Sequence, residues 1–306
     1  GFLAGLAPDL DVLIRSSTDP VLFLEYHRQF SHSLFFIPFG ALIVAALIFP
    51  LVKKHLSFKT TYAASFFGYA THGLLDACTS YGTVLFWPFS NERITWNNIS
   101  IVDPLLTIPA LILLAVAVKT NRRRFSFLAV GWIVSYLALG LVQYERALSS
   151  GLKLAQSRGH NAERMTLKPS FGNLILWKSI YQHGDSFYVD AIRAGTTLSW
   201  CPGESIKIFD YQYHLPDLEE NSQQREDIER FRWFSQDYLG FQNDKNLVTD
   251  VRYSMIPNQI APMWGLIIDE RKGTNEHAAW WESRDLDDES LTLFMEMLFG
   301  RKCMAT

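Results

Sequence analysis

The residues of this sequence best suited to chemistry are histidines and aspartates that lie in or beside apolar segments. His72 and Asp76 lie within the apolar run 62–81, and their spacing of four puts both on one face of a helix. An aspartate inside such a run is costly unless a partner compensates its charge. A metal ion bound by both would do so, with the imidazole as a neutral ligand. A hydrogen bond between the two side chains, without any metal, is the simpler alternative for this pair alone.

Two carboxylates near the start of the chain form a second candidate pair. Asp9 and Asp11 alternate in Pro8-Asp9-Leu10-Asp11, directly after an apolar stretch. In an extended or turn segment this alternation directs both side chains to one side. A solvated turn at the end of a helix is the alternative explanation for this motif.

Two histidines and an arginine precede the first long apolar run. His27 is followed at once by Arg28, and His32 comes four residues later. Two imidazoles with a guanidinium between them indicate metal ligands together with an anion-binding side chain. Asp103, near the start of the third apolar run, adds one more carboxylate.

The elements that must position these residues are four apolar runs. They are residues 34–52, 62–81, 99–118 and 125–142. Each is close to the roughly 20 residues that a helix needs to cross a bilayer. The sequence therefore predicts an all-α transmembrane domain with about four spans. The chain opens on apolar residues without a methionine, so we also expect a helical segment, and any ligand in it, to precede Gly1.

Lysines and arginines between the runs determine the predicted orientation. They are Lys53, Lys54 and Lys59 between the first two runs, and Lys119, Arg122, Arg123 and Arg124 between the last two. Short loops rich in these residues stay in the cytoplasm, so both loops are expected inside. The candidate His and Asp residues then all lie at the outward ends of their segments, and the chain after Tyr144 is extracytoplasmic. This convergence at one membrane face favours a metal site over chance placement.

The second half of the chain has the pattern of a soluble α+β domain. Residues 174–182 and 186–192 flank a His-Gly-Asp turn, which predicts a β-hairpin. Residues 289–299 predict a closing helix. We therefore expect a small α+β domain to follow the transmembrane helices.

The predicted domain boundary lies near residue 145. Residues 1–145 are expected to form the membrane-embedded domain, and residues 146–306 an extracytoplasmic domain whose role the sequence does not define. Cys201 and Cys303 in this second domain could pair if it lies in an oxidising compartment.

The donor types and the charge narrow the possible chemistry. A site of imidazoles and carboxylates without a thiolate suits Zn²⁺, with Mn²⁺ or Fe²⁺ as alternatives. Several carboxylates could bridge two ions about 4 Å apart, the arrangement that suits hydrolysis of phosphate esters. The net charge of −3 argues against a nucleic-acid partner, which normally needs a basic face.

Taken together, these motifs resemble those of the YdjM-like, LexA-regulated membrane-bound metal-dependent hydrolases. The similar segments are Gly5-Leu6-Ala7-Pro8-Asp9-Leu10-Asp11, His27-Arg28 with Ser31-His32-Ser33, His72-Gly73-Leu74-Leu75-Asp76 and Ile101-Val102-Asp103-Pro104. The resemblance covers roughly residues 1–144, and that family is grouped with zinc-dependent phospholipase C and related nucleases. It implies a phosphodiester or phospholipid substrate. It also implies that the metal ligands are Asp9, Asp11, His27, His32, His72 and Asp76.

The predicted protein is an integral inner-membrane hydrolase that uses one or more divalent ions. Arg28 and Asp103 are the predicted catalytic side chains, with Arg28 on a phosphoryl oxygen of a phosphate ester or phospholipid. Residues 84–89 form an aromatic loop at the outer interface, either an anchor among membrane lipids or a lipid-binding lip over the site. The alternative function is a non-enzymatic metal-binding or transport protein that uses the same residues. A structural membrane scaffold is the third possibility.

Overall fold

A computed structural model describes residues 1–305 of the chain, which fold into two compact units. Unit 1 comprises Gly1–Trp96, Asp217–Asp237 and Ile268–Trp280. Unit 2 comprises Asn97–Pro216, Tyr238–Ile267 and the chain from Trp281 onward. Each unit therefore combines segments that are distant in sequence. The assignment of separate roles to residues 1–145 and 146–306 stays a prediction.

The helices and strands follow one another along the chain in two broad blocks. The helices are α1 (Phe2–Leu6), α2 (Leu22–Tyr26), α3 (Ile37–Val52), α4 (Phe58–Ala77), α5 (Pro104–Thr120), α6 (Arg123–Ser157), α7 (Tyr211–His214), α8 (Gln223–Phe234) and α9 (Asp288–Leu298). Short 3₁₀ helices cover Ala7–Leu13 and Phe30–His32. The strands are β1 (Arg164–Pro169), β2 (Leu176–His183), β3 (Ser186–Ala194), β4 (Leu198–Cys201), β5 (Ser205–Lys207), β6 (Leu239–Gln242), β7 (Leu247–Asp250), β8 (Trp264–Ile267), β9 (Ala279–Glu282) and β10 (Met304–Ala305).

The predicted all-α domain with about four membrane spans is wrong. Within residues 1–305, α6 is the one helix that is long and apolar enough to cross a bilayer. A second candidate exists only if the helical segments Leu22–His32 and Ile37–Val52, which are bent by 85°, are counted as one span. The physical reason is where the helices begin. α3 and α5 begin later than the apolar runs that contain them and have 16 and 17 residues, short of the roughly 20 required. α4 has 20 residues, but lysine, threonines, His72 and Asp76 interrupt its apolar character.

Helix α6 has two parts with different surroundings. Its first part exposes large apolar side chains, among them Phe127, Val130 and Val134. Its second part packs within unit 2, where the amide of Gln143 donates hydrogen bonds to two backbone carbonyls, at 2.9 and 2.7 Å. The same helix therefore joins an apolar surface to the sheet of unit 2.

Unit 2 contains a six-stranded antiparallel sheet in the order β1-β2-β3-β4-β10, with β5 also paired to β3. The predicted hairpin is confirmed: β2 and β3 pair with His183 opposite Ser186. Gly184 in the turn has a φ of 59°, a conformation that glycine adopts without steric cost. Side chains of β2 and β3, including Ile180 and Phe187, are fully buried in the core beneath this hairpin.

The second sheet has the order β6-β7-β8-β9, and a helix closes the chain. The predicted closing helix is confirmed as α9, which begins after an Asp287 cap and buries Met297 against the strands of the first sheet. Cys201 and Cys303 form a disulfide. This bond fixes the segment after α9 to β4.

Unit 1 is built on a helical hairpin of α3 and α4. The ring of Phe49 near the end of α3 contacts Phe58 at the start of α4, and Gly40 near the start of α3 faces Tyr69. The two helices are therefore antiparallel. As a result the end of α4, with His72 and Asp76, lies beside the segment that leads into α3.

Candidate metal centre

Four of the predicted ligands converge in unit 1. Asp9 comes from the first 3₁₀ helix, His32 from the second, and His72 and Asp76 from one face of α4. One donor atom from each of the four lies within 4.8 Å of the others. We call these four residues the ligand cluster.

The distances within the ligand cluster fit a single small cation. The Nε2 atoms of His32 and His72 are 3.0 Å apart, and Oδ1 of Asp9 lies 3.4 and 3.3 Å from them. Oδ2 of Asp76 lies 3.2 and 3.5 Å from the same nitrogens. Four donors about 2.0–2.2 Å from a tetrahedral zinc ion are separated by about 3.3–3.6 Å. Three of the five separations fall in this range and the other two, 3.0 and 3.2 Å, are slightly shorter, so small shifts of the side chains would accommodate such an ion.

The contacts that the two histidines make outside the cluster use Nδ1, so both Nε2 atoms face the other donors. Nδ1 of His72 donates to the carbonyl oxygen of Gly5 at 2.6 Å. Nδ1 of His32 lies 3.2 Å from Oδ2 of Asp11. Metal-binding histidines commonly donate their other ring nitrogen to a carbonyl or a carboxylate, which orients the ring. Both rings are thus oriented as ligands would be.

A buried oxygen of Asp76 also indicates a missing partner. Among the described residues Oδ2 of Asp76 accepts no hydrogen bond, although it is buried and close to cationic or imidazole nitrogens. Buried polar atoms without a hydrogen bond are rare and call for an explanation such as an ion. The donor chemistry, the spacing and this atom all fit a divalent cation.

Glycines allow the chain to approach α4 closely enough to assemble the cluster. A Cβ on Gly68 would lie 2.2 Å from the carbonyl oxygen of Gly1, and a Cβ on Gly73 would lie 2.1 Å from that of His32. No side chain fits at either position. Gly68 therefore lets α1 bring the Gly5 carbonyl to His72, and Gly73 lets the His32 segment pack against α4.

Asp11 and His27, also predicted as ligands, lie beside the cluster. The carboxylate of Asp11 is buried and accepts hydrogen bonds from the Ser31 hydroxyl at 2.8 Å and the Arg28 backbone at 2.9 Å. Its other oxygen is 2.8 Å from Nδ1 of His27. Asp11 therefore organises the segment from His27 to His32. Direct ligation by Asp11 or His27 stays a prediction.

Arg28 is fixed next to Asp76. Its φ is 62°, a strained conformation for a residue with a side chain. Its guanidinium lies 3.1 Å from Asp76 through Nε, donates to the Thr79 hydroxyl at 3.0 Å and stacks on the Tyr81 ring at 4.9 Å. Nη2 forms no hydrogen bond with any described residue, so it is available to an anion.

The electrostatics of the site favour positive charge. Hydrogen bonds from His32 and His72 lower the pKa of Asp9 far below its ordinary value. Burial would raise the pKa of Asp11, but its bonds to His27 and His32 outweigh burial and lower it. Burial would lower the pKa of His32, yet the negative charge of the surrounding aspartates outweighs burial and raises it to about 10. Carboxylates that stay ionised around a buried imidazole form an environment for a cation.

Asp103, the other predicted catalytic residue, belongs to unit 2. Its carboxylate caps α5 by accepting from the Leu106 backbone at 3.2 Å, and both oxygens accept from the Tyr136 hydroxyl at 2.9 Å. These contacts give Asp103 a structural task at the start of α5. A catalytic role stays a prediction.

Unit 1 contains a second group of suitable residue types, Asp19, Asp227 and His277. Here the guanidinium of Arg230 already pairs with Asp19 at 2.8 Å, with Glu25 at 2.6 Å and with Asp227 at 3.3 Å. Nδ1 of His277 lies 3.0 Å from both oxygens of Asp227. We call this group the Arg230 cluster. The guanidinium of Arg230 therefore contacts every carboxylate of this group and compensates part of their negative charge.

The sequence analysis assigns no role to several residues that support the site. They are Gly5, Ser31, Gly68, Gly73, Thr79 and Tyr81. A signal existed for part of this set, because Gly68, His72, Gly73 and Asp76 recur at helical spacing on α4. Nothing in the spacing identified the Gly5 carbonyl as a partner of His72.

A helical unit with a cluster of imidazoles and carboxylates, in a chain that also contains the apolar helix α6, defines a candidate metal-binding membrane protein. Residues 1–147 match the family described as YdjM inner membrane protein. The predicted resemblance is confirmed, and the match includes the whole ligand cluster. The family match and the apolar helix α6 both indicate a protein of the inner membrane.

A curated relative extends the comparison beyond this segment. The uncharacterized protein YfhP of Bacillus subtilis (strain 168) is 24% identical over 190 residues, which are 62% of this chain and 56% of the relative. The chain thus matches little more than half the length of that relative. No solved structure matches the chain.

Proposed function

We propose that the protein is a metal-dependent hydrolase of phosphate esters at the outer face of the inner membrane. The observation that carries this proposal is the convergence of four donor atoms at the separations of a single ion's donor shell. Asp9 has a half-exposed side chain, whereas His32 is fully buried. The cluster is therefore open on the side of Asp9, where a substrate can approach.

The residues of the ligand cluster would bind the ion, and residues beside the cluster orient the ligands. Zn²⁺, or alternatively Mn²⁺ or Fe²⁺, would be held by the four residues of the ligand cluster. Such an ion would lower the pKa of a water bound in addition to the four protein donors, and it would attract a phosphoryl oxygen. Asp11 and the Gly5 carbonyl hold the two imidazole rings in the orientation that ligation needs.

Arg28 supports a phosphate ester over other substrates. Its side chain is already fixed by Asp76, Thr79 and Tyr81, so little freedom is lost when it binds an anion. A guanidinium offers donors in a planar fork that matches phosphate oxygens. Its unpaired Nη2 would stabilise negative charge that develops on the phosphoryl group.

The disulfide and the ion pairs of Arg230 support an outward orientation of the ligand cluster. Disulfides persist in oxidising compartments, so Cys201–Cys303 favours the extracytoplasmic side for the chain after α6. Arg230 lies between these cysteines in the sequence and pairs with Asp19 and Glu25. Because Asp19 and Glu25 lie between Asp9 and His32 in the sequence, the chain from Asp9 to His32 is then extracytoplasmic as well. This inference does not depend on how many helices cross the bilayer.

Hydrolysis of a soluble phosphodiester tests the proposal. Purified protein in detergent, supplied with Zn²⁺ or Mn²⁺, should cleave bis-p-nitrophenyl phosphate and lose this activity with a chelator. His32→Ala should abolish both bound metal and turnover, and Arg28→Ala should reduce turnover more than metal content. His277→Ala, from the Arg230 cluster, is the matched control and should retain both.

The alternative function predicts a different result. A protein that only binds or transports metal would be fully metallated and inert toward every phosphate ester. That outcome, with metal content still dependent on His32, would reject the hydrolase and retain the metal site. Absence of metal from the native protein would reject both.

A further inference from the structure

Unit 1 has an apolar surface that begins two residues after His32. Leu34, Phe35, Phe39, Phe86 and Phe89 all expose at least a third of their surface, and Phe89 is 83% exposed. The backbone of Leu34 donates to the Leu85 carbonyl at 2.9 Å, and the ring of Phe35 contacts Phe39, Phe89 and Trp87. These residues form one surface, here called the aromatic patch.

The aromatic patch continues along an apolar helix side. From Leu34 to Val52 there is no charged residue, and α3 exposes Leu42, Ile43, Leu47 and Leu51 beyond the patch. At its other edge the patch ends at exposed Asn91 and Glu92. An apolar surface with tryptophan and phenylalanine beside a polar border is typical of the membrane–water interface.

We infer that the aromatic patch inserts into the outer leaflet of the membrane and holds the ligand cluster at the level of the lipid headgroups. Exposed apolar surface of this kind is unfavourable in water, and lipid removes it from water. The family is one of inner membrane proteins, so a bilayer is the apolar partner at hand. A surface that binds another protein usually has a rim of hydrogen-bonding groups around its apolar centre, whereas the aromatic patch continues into the apolar side of α3.

Sequence neighbours connect the patch to the site. His32 is followed by Leu34 and Phe35, so the segment that supplies a ligand also supplies the patch. Asp9, the most exposed ligand, lies between exposed Leu6, Leu10 and Leu13. Apolar contact residues therefore adjoin the ligand cluster in two separate segments. A phosphate carried by a lipid would reach the cluster without leaving the membrane surface.

Spin labelling tests the insertion directly and does not require any enzymatic activity. The whole protein is placed in dioleoyl phosphatidylcholine vesicles, with a label on Phe89→Cys in a Cys78→Ser background. The control carries the label on Arg271→Cys, a side chain of unit 1 that is 89% exposed and polar. We expect the label at 89 to collide with oxygen and to be protected from a water-soluble nickel complex. The label at 271 should show the reverse.

Each other outcome of the labelling contradicts the inference. A label at 89 that the nickel complex reaches freely would show that the patch is in water. Protection from both oxygen and nickel would show that protein, such as a second copy of the chain, covers the patch.

A second experiment, which rests on the proposed function, compares lipid-borne and soluble substrates. Phe89→Asp should lower turnover of a fluorogenic phospholipid in the same vesicles by about tenfold or more, because it removes a large apolar contact. Turnover of bis-p-nitrophenyl phosphate should be unchanged. Asn91→Asp adds the same charge at the polar border and should leave both rates intact. An equal loss of turnover on both substrates in Phe89→Asp would contradict the inference. If the native protein hydrolyses neither substrate, the proposed function is rejected, and the spin-labelling result alone decides whether the patch inserts.

Discussion

Unit 1 contains two groups of aspartate and histidine that differ in what compensates their negative charge. In the Arg230 cluster a guanidinium pairs with Asp19 and Asp227, and His277 also bonds to Asp227. In the ligand cluster the nearest guanidinium, that of Arg28, approaches from one side and leaves an oxygen of Asp76 without a hydrogen bond. In the first group a guanidinium contacts each carboxylate, whereas in the second a buried carboxylate oxygen keeps no hydrogen bond, which fits the proposed cation.

The difference shows why residue type alone does not define a metal site. Both groups have carboxylates and an imidazole within reach of one another. Only in the ligand cluster do two imidazoles present Nε2 to the same point while their Nδ1 atoms are engaged elsewhere. Orientation by surrounding residues, rather than the presence of donors, separates the two groups.

The largest expected effect is loss of metal from the ligand cluster. His72→Ala removes a donor and should lower bound zinc from about one ion per chain to a small fraction, because a site of this kind needs its full donor set. His277→Ala should leave the zinc content unchanged. Elemental analysis of the purified variants measures both. Equal loss of zinc in the two variants would contradict the conclusion that only the ligand cluster binds the ion.

Removal of the guanidinium should convert the Arg230 cluster into an incomplete site. Arg230→Met leaves several carboxylates unpaired and should destabilise the protein by about 2–3 kcal/mol, less than a fully buried pair because the cluster is partly exposed. Millimolar Zn²⁺ should restore more stability to this variant than to the native protein. Thermal unfolding followed by tryptophan fluorescence measures the difference. No loss of stability would show that the ion pairs contribute little.

Asp11 tests the orientation argument with a smaller effect. Asp11→Asn keeps the size of the side chain but weakens the contacts with His32 and His27. Zinc affinity should fall by about 10–100-fold, with full occupancy recovered at high zinc concentration. Competition with a zinc-binding dye gives the affinity. Complete and irrecoverable loss of zinc would instead indicate that Asp11 is itself a ligand, as the sequence predicts.

The smallest effect concerns acid stability of the Arg230 cluster. Burial would raise the pKa of Asp19, but its hydrogen bond with Arg230 outweighs burial and lowers it. A lowered pKa contributes stability above the unfolded value of about 3.9, and that stability is lost as the pH falls through the folded value. Asp19→Asn should therefore make the acid loss of stability shallower, by less than about 1 kcal/mol. Unfolding of the two proteins between pH 6 and pH 3 gives the comparison, and identical slopes would contradict it.

The sequence indicated which residues come close together better than it predicted the membrane topology. Helical spacing correctly put His72 and Asp76 on one face of α4, and Asp9 and His32 lie near them as expected, whereas metal binding stays a prediction. The predicted β-hairpin and closing helix were also correct because their turn and amphipathic signals are local. Hydropathy alone does not locate helix starts: the apolar run begins at residue 99, whereas α5 begins at Pro104, where Asp103 followed by proline is the typical start signal.

The features that sequence reasoning could not supply are contacts between distant residues. The Arg230 ion pairs join residues more than 200 positions apart, and the Gly5 carbonyl meets His72 across 67 positions. Such contacts depend on tertiary packing and have no local signature. These contacts determine whether a histidine can act as a metal ligand or instead forms a hydrogen bond with a carboxylate.

The most direct test of the central claim is the X-ray absorption spectrum of the zinc-loaded protein. We predict imidazole scattering from two histidines, with nitrogen and oxygen donors at about 2.0–2.2 Å. The imidazole contribution of any zinc retained should fall in His72→Ala and stay the same in His277→Ala. A zinc spectrum without imidazole scattering, or one that His72→Ala leaves unchanged, would contradict the account.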